Sequence, residues 1–90
     1  MAAGVGDAAL RMRVLELLTS VAPDIDTQAL RPELEFREQF DFDSMDVFNF
    51  AAALHAEFGV DIPERDYRQL LGLDKCLDYL RRRLPAASGP

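Results

Sequence analysis

An irregular acidic segment becomes a helix within the stretch Phe40-Asp41-Phe42-Asp43-Ser44-Met45-Asp46. Asp43 is placed to cap the helix, and Asp46, three residues on, completes a carboxylate version of the capping box. The predicted helix runs from about Ser44 to Phe58-Gly59. One apolar stripe is formed by Val47, Phe50, Ala51, Leu54 and Phe58, while Met45, Phe48, Ala52 and Ala56 lie to the side or on the opposite surface. This is more apolar surface than one packing face requires.

Three other helical segments are predicted around this one. The first begins after Asp7 and ends before Pro23, with an apolar stripe formed by Leu10, Val14, Leu17, Leu18 and Val21. Residues 64–71 can form one or two short turns of helix. The last helix covers about 74–84 and ends at Pro85, with Leu77, Leu80 and Leu84 directed inward and Leu73 just before it.

A long loop, residues 22–43, separates the first two helices. Its apolar residues follow no helical period, but they imply that the loop packs on the core. The pattern predicts an all-α fold, a small up-down four-helix bundle with three longer helices and one short helix. Residues 1–6 are expected to be a flexible N-terminus, residues 7–84 the single domain and residues 85–90 a disordered tail.

Composition excludes several classes of protein. The chain has 90 residues, a net charge of −6 and one cysteine, so it has neither a disulfide framework nor zinc-ligand spacing. The acidic balance repels phosphate backbones and makes nucleic acid a poor partner. No apolar run approaches the roughly 20 residues of a bilayer span, and the cysteine usage suits a reducing compartment, so we expect a cytoplasmic protein. We expect a monomer because one core accounts for the apolar residues and no additional heptad seam is present. A basic partner surface would meet residues 24–46.

The sequence offers little for catalysis. Ser44 and the only histidine, His55, are separated by roughly 16 Å along one helix, so they cannot form a nucleophile and base pair. His55 is interpreted as a partly exposed helix residue and Cys76 as a small apolar residue of the last helix. The acidic residues of the loop lack the spacing and glycine of a calcium hand. No catalytic residue and no metal site are predicted.

Ser44 is better placed as an acceptor than as a catalyst. A hydroxyl at a helix start lies beside unpaired backbone N–H groups and the positive end of the helix dipole, an arrangement that suits a covalently attached phosphate. The same residues are also consistent with a helix start that is merely well capped. The residue pattern by itself leaves both interpretations open.

The motif Phe40–Asp46 is followed at fixed distances by Phe58-Gly59-Val60-Asp61-Ile62-Pro63 and by Leu77-Asp78-Tyr79-Leu80. Together they resemble the acyl carrier protein family over roughly Leu10 to Leu84. The resemblance implies a non-catalytic carrier whose Ser44 receives a 4′-phosphopantetheine arm from coenzyme A, through a separate magnesium-dependent phosphopantetheinyl transferase. The thiol of the arm would hold an acyl or aminoacyl group as a thioester. A long loop before the serine is normal in this family.

The resemblance also implies roles around Ser44. The residues expected to dock partners are Asp41, Asp43, Met45, Asp46 and Glu57. The residues expected to contact the arm or its acyl group are Val47, Phe48, Phe50, Tyr67, Leu70 and Leu71. Phe48 and Phe50 are hypothesised to leave less room for a long fatty chain. The implied partners are the transferase, a ligase or transferase that loads the acyl or aminoacyl group, and downstream acyl-accepting enzymes.

Two departures from the family pattern favour a specialised carrier over the housekeeping one of fatty acid synthesis. We expect it to be freestanding, because Met1 begins the sequence and no long Pro- or Gly-rich linker follows. Asp41 stands where fatty acid carriers usually have glycine, and a left-handed backbone there would be strained. Asn49, His55 and Ala56 stand where acidic residues are usual, which weakens docking along that helix. The alternative is an acidic helical protein-interaction module that carries no prosthetic group.

Overall fold

The computed structural model describes residues 2–84, with side chains from residue 8 onward. Three α-helices are present, α1 (Ala2–Val21), α2 (Ser44–Phe58) and α3 (Leu73–Arg83), together with 3-10 helices at Phe36–Glu38 and Glu64–Leu70. Residues 2–84 contain no β-strand, which confirms the all-helical prediction. The predicted tail 85–90 lies outside the described residues and stays a prediction, as does the flexibility of residues 1–6.

Helix α1 begins at Ala2, so the start predicted after Asp7 is wrong. The prediction relied on the apolar stripe, which residues 2–6 lack. Extending an existing helix adds one hydrogen bond for each residue fixed and needs no such stripe. The other helix bounds agree with the prediction to within about one residue.

The core lies between the three α-helices and is formed by the stripes that the sequence predicts. Its members include Val14 and Leu18 of α1, Phe50, Ala51 and Leu54 of α2, and Leu73, Cys76, Leu77 and Leu80 of α3. The side chain of Cys76 is completely buried, and this burial raises the pKa of its thiol to about 12. Cys76 therefore stays protonated and fills space in the core.

The long loop is held on the core by aromatic rings. Phe36 is completely buried, with its ring centroid 5.1 Å from that of Phe42 and 6.0 Å from that of Phe50 in α2. Phe40 stacks on Phe36 at 5.7 Å. Edge-to-face and stacked pairs at these distances add to the burial of the rings. The loop consequently forms one wall of the core.

Backbone hydrogen bonds fix the loop against the segment before α3. The amide of Phe36 donates to the carbonyl of Leu71 at 2.6 Å, and the amide of Asp74 donates to the carbonyl of Pro32 at 3.0 Å. Gly72 lies between these contacts, where an added Cβ would sit 3.1 Å from the Leu34 carbonyl oxygen. The close approach of the two backbones therefore favours glycine at this position.

Polar side chains tie the helices together at the surface. Arg13 of α1 donates to both carboxylate oxygens of Glu57 in α2, at 2.7 and 2.8 Å. Lys75 of α3 contacts Glu35 of the loop at 2.9 Å. These pairs link segments that are distant in sequence, so they help to set how the elements pack.

Among the described residues, Gly59 alone has a positive φ, so the strain foreseen at Asp41 does not arise.

Acid is expected to destabilise this fold through Glu57 and Glu35. The hydrogen bond from Arg13 lowers the pKa of Glu57 below its usual value of 4.5, and the bond from Lys75 lowers the pKa of Glu35 in the same way. Such a carboxyl contributes stability that is complete above its unfolded pKa and is lost as the pH falls through its folded pKa. The urea concentration at the midpoint of unfolding should therefore be constant above about pH 5.5 and decrease below about pH 4.5.

The double variant Glu35→Gln/Glu57→Gln is the control for this prediction. It lacks both carboxyls, so its urea midpoint should fall less steeply below about pH 4.5 than that of the wild type. Equal slopes in the two proteins would show that these pairs do not contribute to the acid dependence.

Candidate functional site

Ser44 is the first residue of α2, and Asp43 rather than Ser44 caps the helix. The Asp43 carboxylate accepts from the amide of Asp46 at 3.0 Å, and the Asp46 carboxylate accepts from the amide of Asp43 at 3.1 Å. The predicted capping box is therefore confirmed. Ser44 is exposed, and its hydroxyl makes no hydrogen bond within residues 8–84.

The start of α2 has backbone amides that are available to bind an anion. The capping box uses the amide of Asp46, and the amide of Val47 donates to the Asp43 carbonyl at 3.0 Å. The amides of Ser44 and Met45 precede the first intrahelical bond and have no acceptor in the described part of the chain. They lie at the positive end of the α2 dipole. An anionic group bonded to the Ser44 hydroxyl would therefore be stabilised there.

A groove of about 600 Å³ opens beside Ser44, between α2, the loop and the 3-10 helix Glu64–Leu70. From α2 it is lined by Ser44, Met45, Val47 and Phe48, from the 3-10 helix and its end by Glu64, Arg65, Tyr67, Arg68 and Leu71, and from the loop by Arg37, Phe42 and Asp43. The lining of the groove thus combines apolar with charged side chains. Its volume is in the range of small-molecule sites.

Four of the six residues predicted to contact the arm or its acyl group line this groove: Val47, Phe48, Tyr67 and Leu71. Phe50 and Leu70 are completely buried in the core instead. Phe50 packs against Phe36 and Phe42, and Leu70 follows Tyr67 by one turn on the inner side of its helix. Of the two phenylalanines predicted to limit chain length, only Phe48 is placed to do so.

Side chains from two of the three lines of the 3-10 helix reach the groove. With three residues per turn, side chains at i and i+3 are eclipsed, so Arg65, Arg68 and Leu71 follow one line. Asp66 lies on another line and faces α3, where it accepts from the Tyr79 hydroxyl and from Arg83, both at 2.8 Å. Arg65 and Arg68 were not predicted as site residues, although their spacing of three after Pro63 indicates that they share one face.

The residues predicted to dock partners fall into two places. Asp41 and Met45 are exposed near Ser44, Met45 by 64%, and Asp43 and Asp46 form the capping box beside them. Glu57 lies almost four turns away, and Arg13 occupies both of its oxygens. The structure thus groups four of the five predicted docking residues around Ser44.

His55 lies near the C-terminal end of α2, where its backbone carbonyl and its side chain contact the residues that follow the helix. Gly59 ends the helix with φ of 68°, and its amide donates to the His55 carbonyl at 2.8 Å. The His55 Nδ1 lies 3.0 Å from the carbonyl oxygen of Val60, so it can donate to the chain that leaves the helix.

Among the described residues, no group of three His, Cys, Asp or Glu side chains is arranged to hold a metal ion. No helix there is long and apolar enough to cross a membrane.

Known proteins resemble this chain across the whole site. The family model for the phosphopantetheine attachment site matches residues 13–75. The acyl carrier protein of Thermosynechococcus vestitus is 30% identical over 76 residues, which cover 81% of this chain and 94% of that protein. That of Rubrobacter xylanophilus is 26% identical over 73 residues, covering 78% and 90%. Acyl carrier protein 2 of Pseudomonas aeruginosa is 34% identical over 56 residues, covering 62% and 71%.

Proposed function

Because this chain belongs to the acyl carrier protein family, whose prosthetic group is 4′-phosphopantetheine, we propose that Ser44 is its attachment residue. We propose further that the chain presents acyl or aminoacyl groups to partner enzymes and is not itself an enzyme. One observation supports the assignment: the Ser44 hydroxyl is exposed at a helix start that Asp43 already caps, and it has no hydrogen bond within residues 8–84. It is therefore free for modification without loss of the cap.

The residues around Ser44 fit the group. The amides of Ser44 and Met45, which have no acceptor among the described residues, would stabilise the phosphate, and the exposed Met45 and Phe48 offer apolar contacts beside it. When bound, the group supplies a thiol that holds the acyl chain as a thioester. The groove between α2 and the 3-10 helix would then shelter the first part of that chain.

The proposed partners are a phosphopantetheinyl transferase, a loading ligase or acyltransferase, and downstream acyl-accepting enzymes. Their shared docking surface is Asp41, Asp43, Met45 and Asp46, which surround the modified serine. Beyond it the outer face of α2 is neutral, with exposed Asn49 and Ala52. This favours partners of a specialised pathway that do not depend on a long acidic helix. The lone buried cysteine suits a reducing, cytoplasmic setting.

The function is tested by the intact mass of the purified protein before and after incubation with coenzyme A, Mg²⁺ and a broad-specificity phosphopantetheinyl transferase. We expect the mass to rise by a single arm, and fragmentation should locate the arm on the peptide that contains Ser44. The reaction without transferase is the control. If several transferases leave the folded protein unchanged, the interaction-module alternative is favoured, and capture of its partner becomes the next step.

A further inference from the structure

Three arginine side chains line the groove beside Ser44: Arg37 from the loop, and Arg65 and Arg68 from the 3-10 helix. None of the three has an ion pair or a hydrogen bond within residues 8–84. Other arginines of the chain are held by carboxylates, among them Arg13 by Glu57 and Arg83 by Asp66. The groove arginines therefore keep their donors available for a ligand.

Arg65 and Arg68 are arranged to act together. Because i and i+3 side chains are eclipsed in a 3-10 helix, the two side chains leave the same face from Cα atoms roughly 6 Å apart along the axis. Leu71 continues this line, and Val47 and Phe48 lie across from it on α2. One wall of the groove thus changes from apolar to cationic along its length.

Two carboxylates also line the groove, but they do not neutralise the arginines. Asp43 is committed to the helix cap, where its side chain accepts from the amide of Asp46. Glu64 lies on the neighbouring line of the 3-10 helix, one turn before Tyr67. The groove lining therefore carries more positive than negative side chains, in a protein whose net charge is −6.

We propose that this groove selects an acyl cargo that bears a carboxylate over a neutral cargo of the same length. Its apolar lining of Val47, Phe48 and Leu71 takes the methylene groups, and Arg65 and Arg68 bind the carboxylate at the end. Guanidinium groups suit this role because they bind carboxylates through paired, charge-assisted hydrogen bonds. The inference rests on the proposed attachment at Ser44, since only a cargo anchored there lies beside these arginines.

The test compares two cargoes that differ only in charge. A phosphopantetheinyl transferase moves the acylated arm onto the protein from glutaryl-coenzyme A, or from neutral glutaramoyl-coenzyme A, in which an amide replaces the carboxylate. Hydroxylamine then cleaves each thioester, and the rates are followed by intact mass and divided by those of the free coenzyme A thioesters. We expect the glutaryl group to be cleaved roughly two- to fivefold more slowly than its neutral counterpart, as suits partly exposed ion pairs.

Two variants of equal net charge locate the effect. Arg65→Gln/Arg68→Gln should bring the ratio of the two rates to one, whereas Arg11→Gln/Arg82→Gln, which changes arginines outside the groove, should leave it unchanged. Circular dichroism checks that both variants are folded. Raising the salt concentration should also bring the wild-type ratio towards one, without any substitution.

The outcomes separate the two proposals. An unchanged mass after the transfer reaction overturns attachment of the arm at Ser44, and the cargo preference with it. Normal transfer followed by equal cleavage rates on the wild type overturns the cargo preference alone. The phosphate of the arm is the same in both thioesters, so arginines that bind only this phosphate also give equal rates. A preference that persists in Arg65→Gln/Arg68→Gln would likewise contradict the assignment.

Discussion

Replacing Ser44 with alanine is expected to abolish addition of the arm while leaving the melting temperature within about 3 °C of the wild type. The hydroxyl is the only group of Ser44 that the modification uses, and it makes no hydrogen bond within the described part of the chain. The helix cap belongs to Asp43, and alanine is a better helix former than serine. Intact mass after the transferase reaction measures the first effect, and thermal unfolding the second.

Two further variants make this result specific. Ser20→Ala removes an exposed hydroxyl from α1, where it donates to the Leu17 carbonyl, and should accept the arm normally. Asp43→Ala should instead lower the free energy of unfolding, because loss of a cap costs about 1 kcal/mol. Arm addition that survives in Ser44→Ala would place the attachment at another residue. A large loss of stability in that variant would favour a structural role for Ser44.

The largest loss of stability is expected for Phe36→Ala, about 3–5 kcal/mol, as for other buried phenylalanines. Phe36 is completely buried although it belongs to the long loop. Its ring contacts Phe40, Phe42 and Phe50, so the substitution leaves a cavity between the loop and α2. The total free energy of unfolding of a natural domain is about 5–15 kcal/mol. The substitution should therefore remove a large part of this stability and leave the variant close to unfolding.

Phe48→Ala is the matched control, because it deletes the same side chain from a site that is 54% exposed. It should cost about 1 kcal/mol or less. Since the chain contains no tryptophan, urea unfolding of both variants is best followed by circular dichroism. Similar losses in the two variants would show that the aromatic cluster does not hold the loop to the core.

Helix α2 and the position of Ser44 are the features that the sequence specified best. Their signals are local: the reciprocal capping bonds of Asp43 and Asp46 span three residues, and Gly59 ends the helix one residue after Phe58. The motif around Ser44 also identified the acyl carrier protein family, which the comparisons confirm. Such local patterns can be recognised from neighbouring residues alone, without the tertiary contacts of the fold.

The remainder depended on contacts between residues far apart in sequence. The sequence indicated that the loop packs on the core, but not that Phe36 would be the residue completely buried, nor that its amide would bond to Leu71. Glu57 was expected to face partners, yet Arg13, on another helix, occupies its carboxylate. The arginines of the groove were not predicted because the groove is formed by the loop, α2 and the 3-10 helix, which are separate segments of the sequence.

Because Cys76 is buried, its thiol should not interfere with measurement of the thiol on the proposed arm. Only a thiolate reacts readily with disulfide or maleimide reagents, and a completely buried thiol with a pKa of about 12 does not provide one near neutral pH. In the native protein such a reagent should therefore count the free arms alone, and loading with an acyl group should lower that count. Adding denaturant should reveal one more thiol per chain, an internal standard for protein concentration.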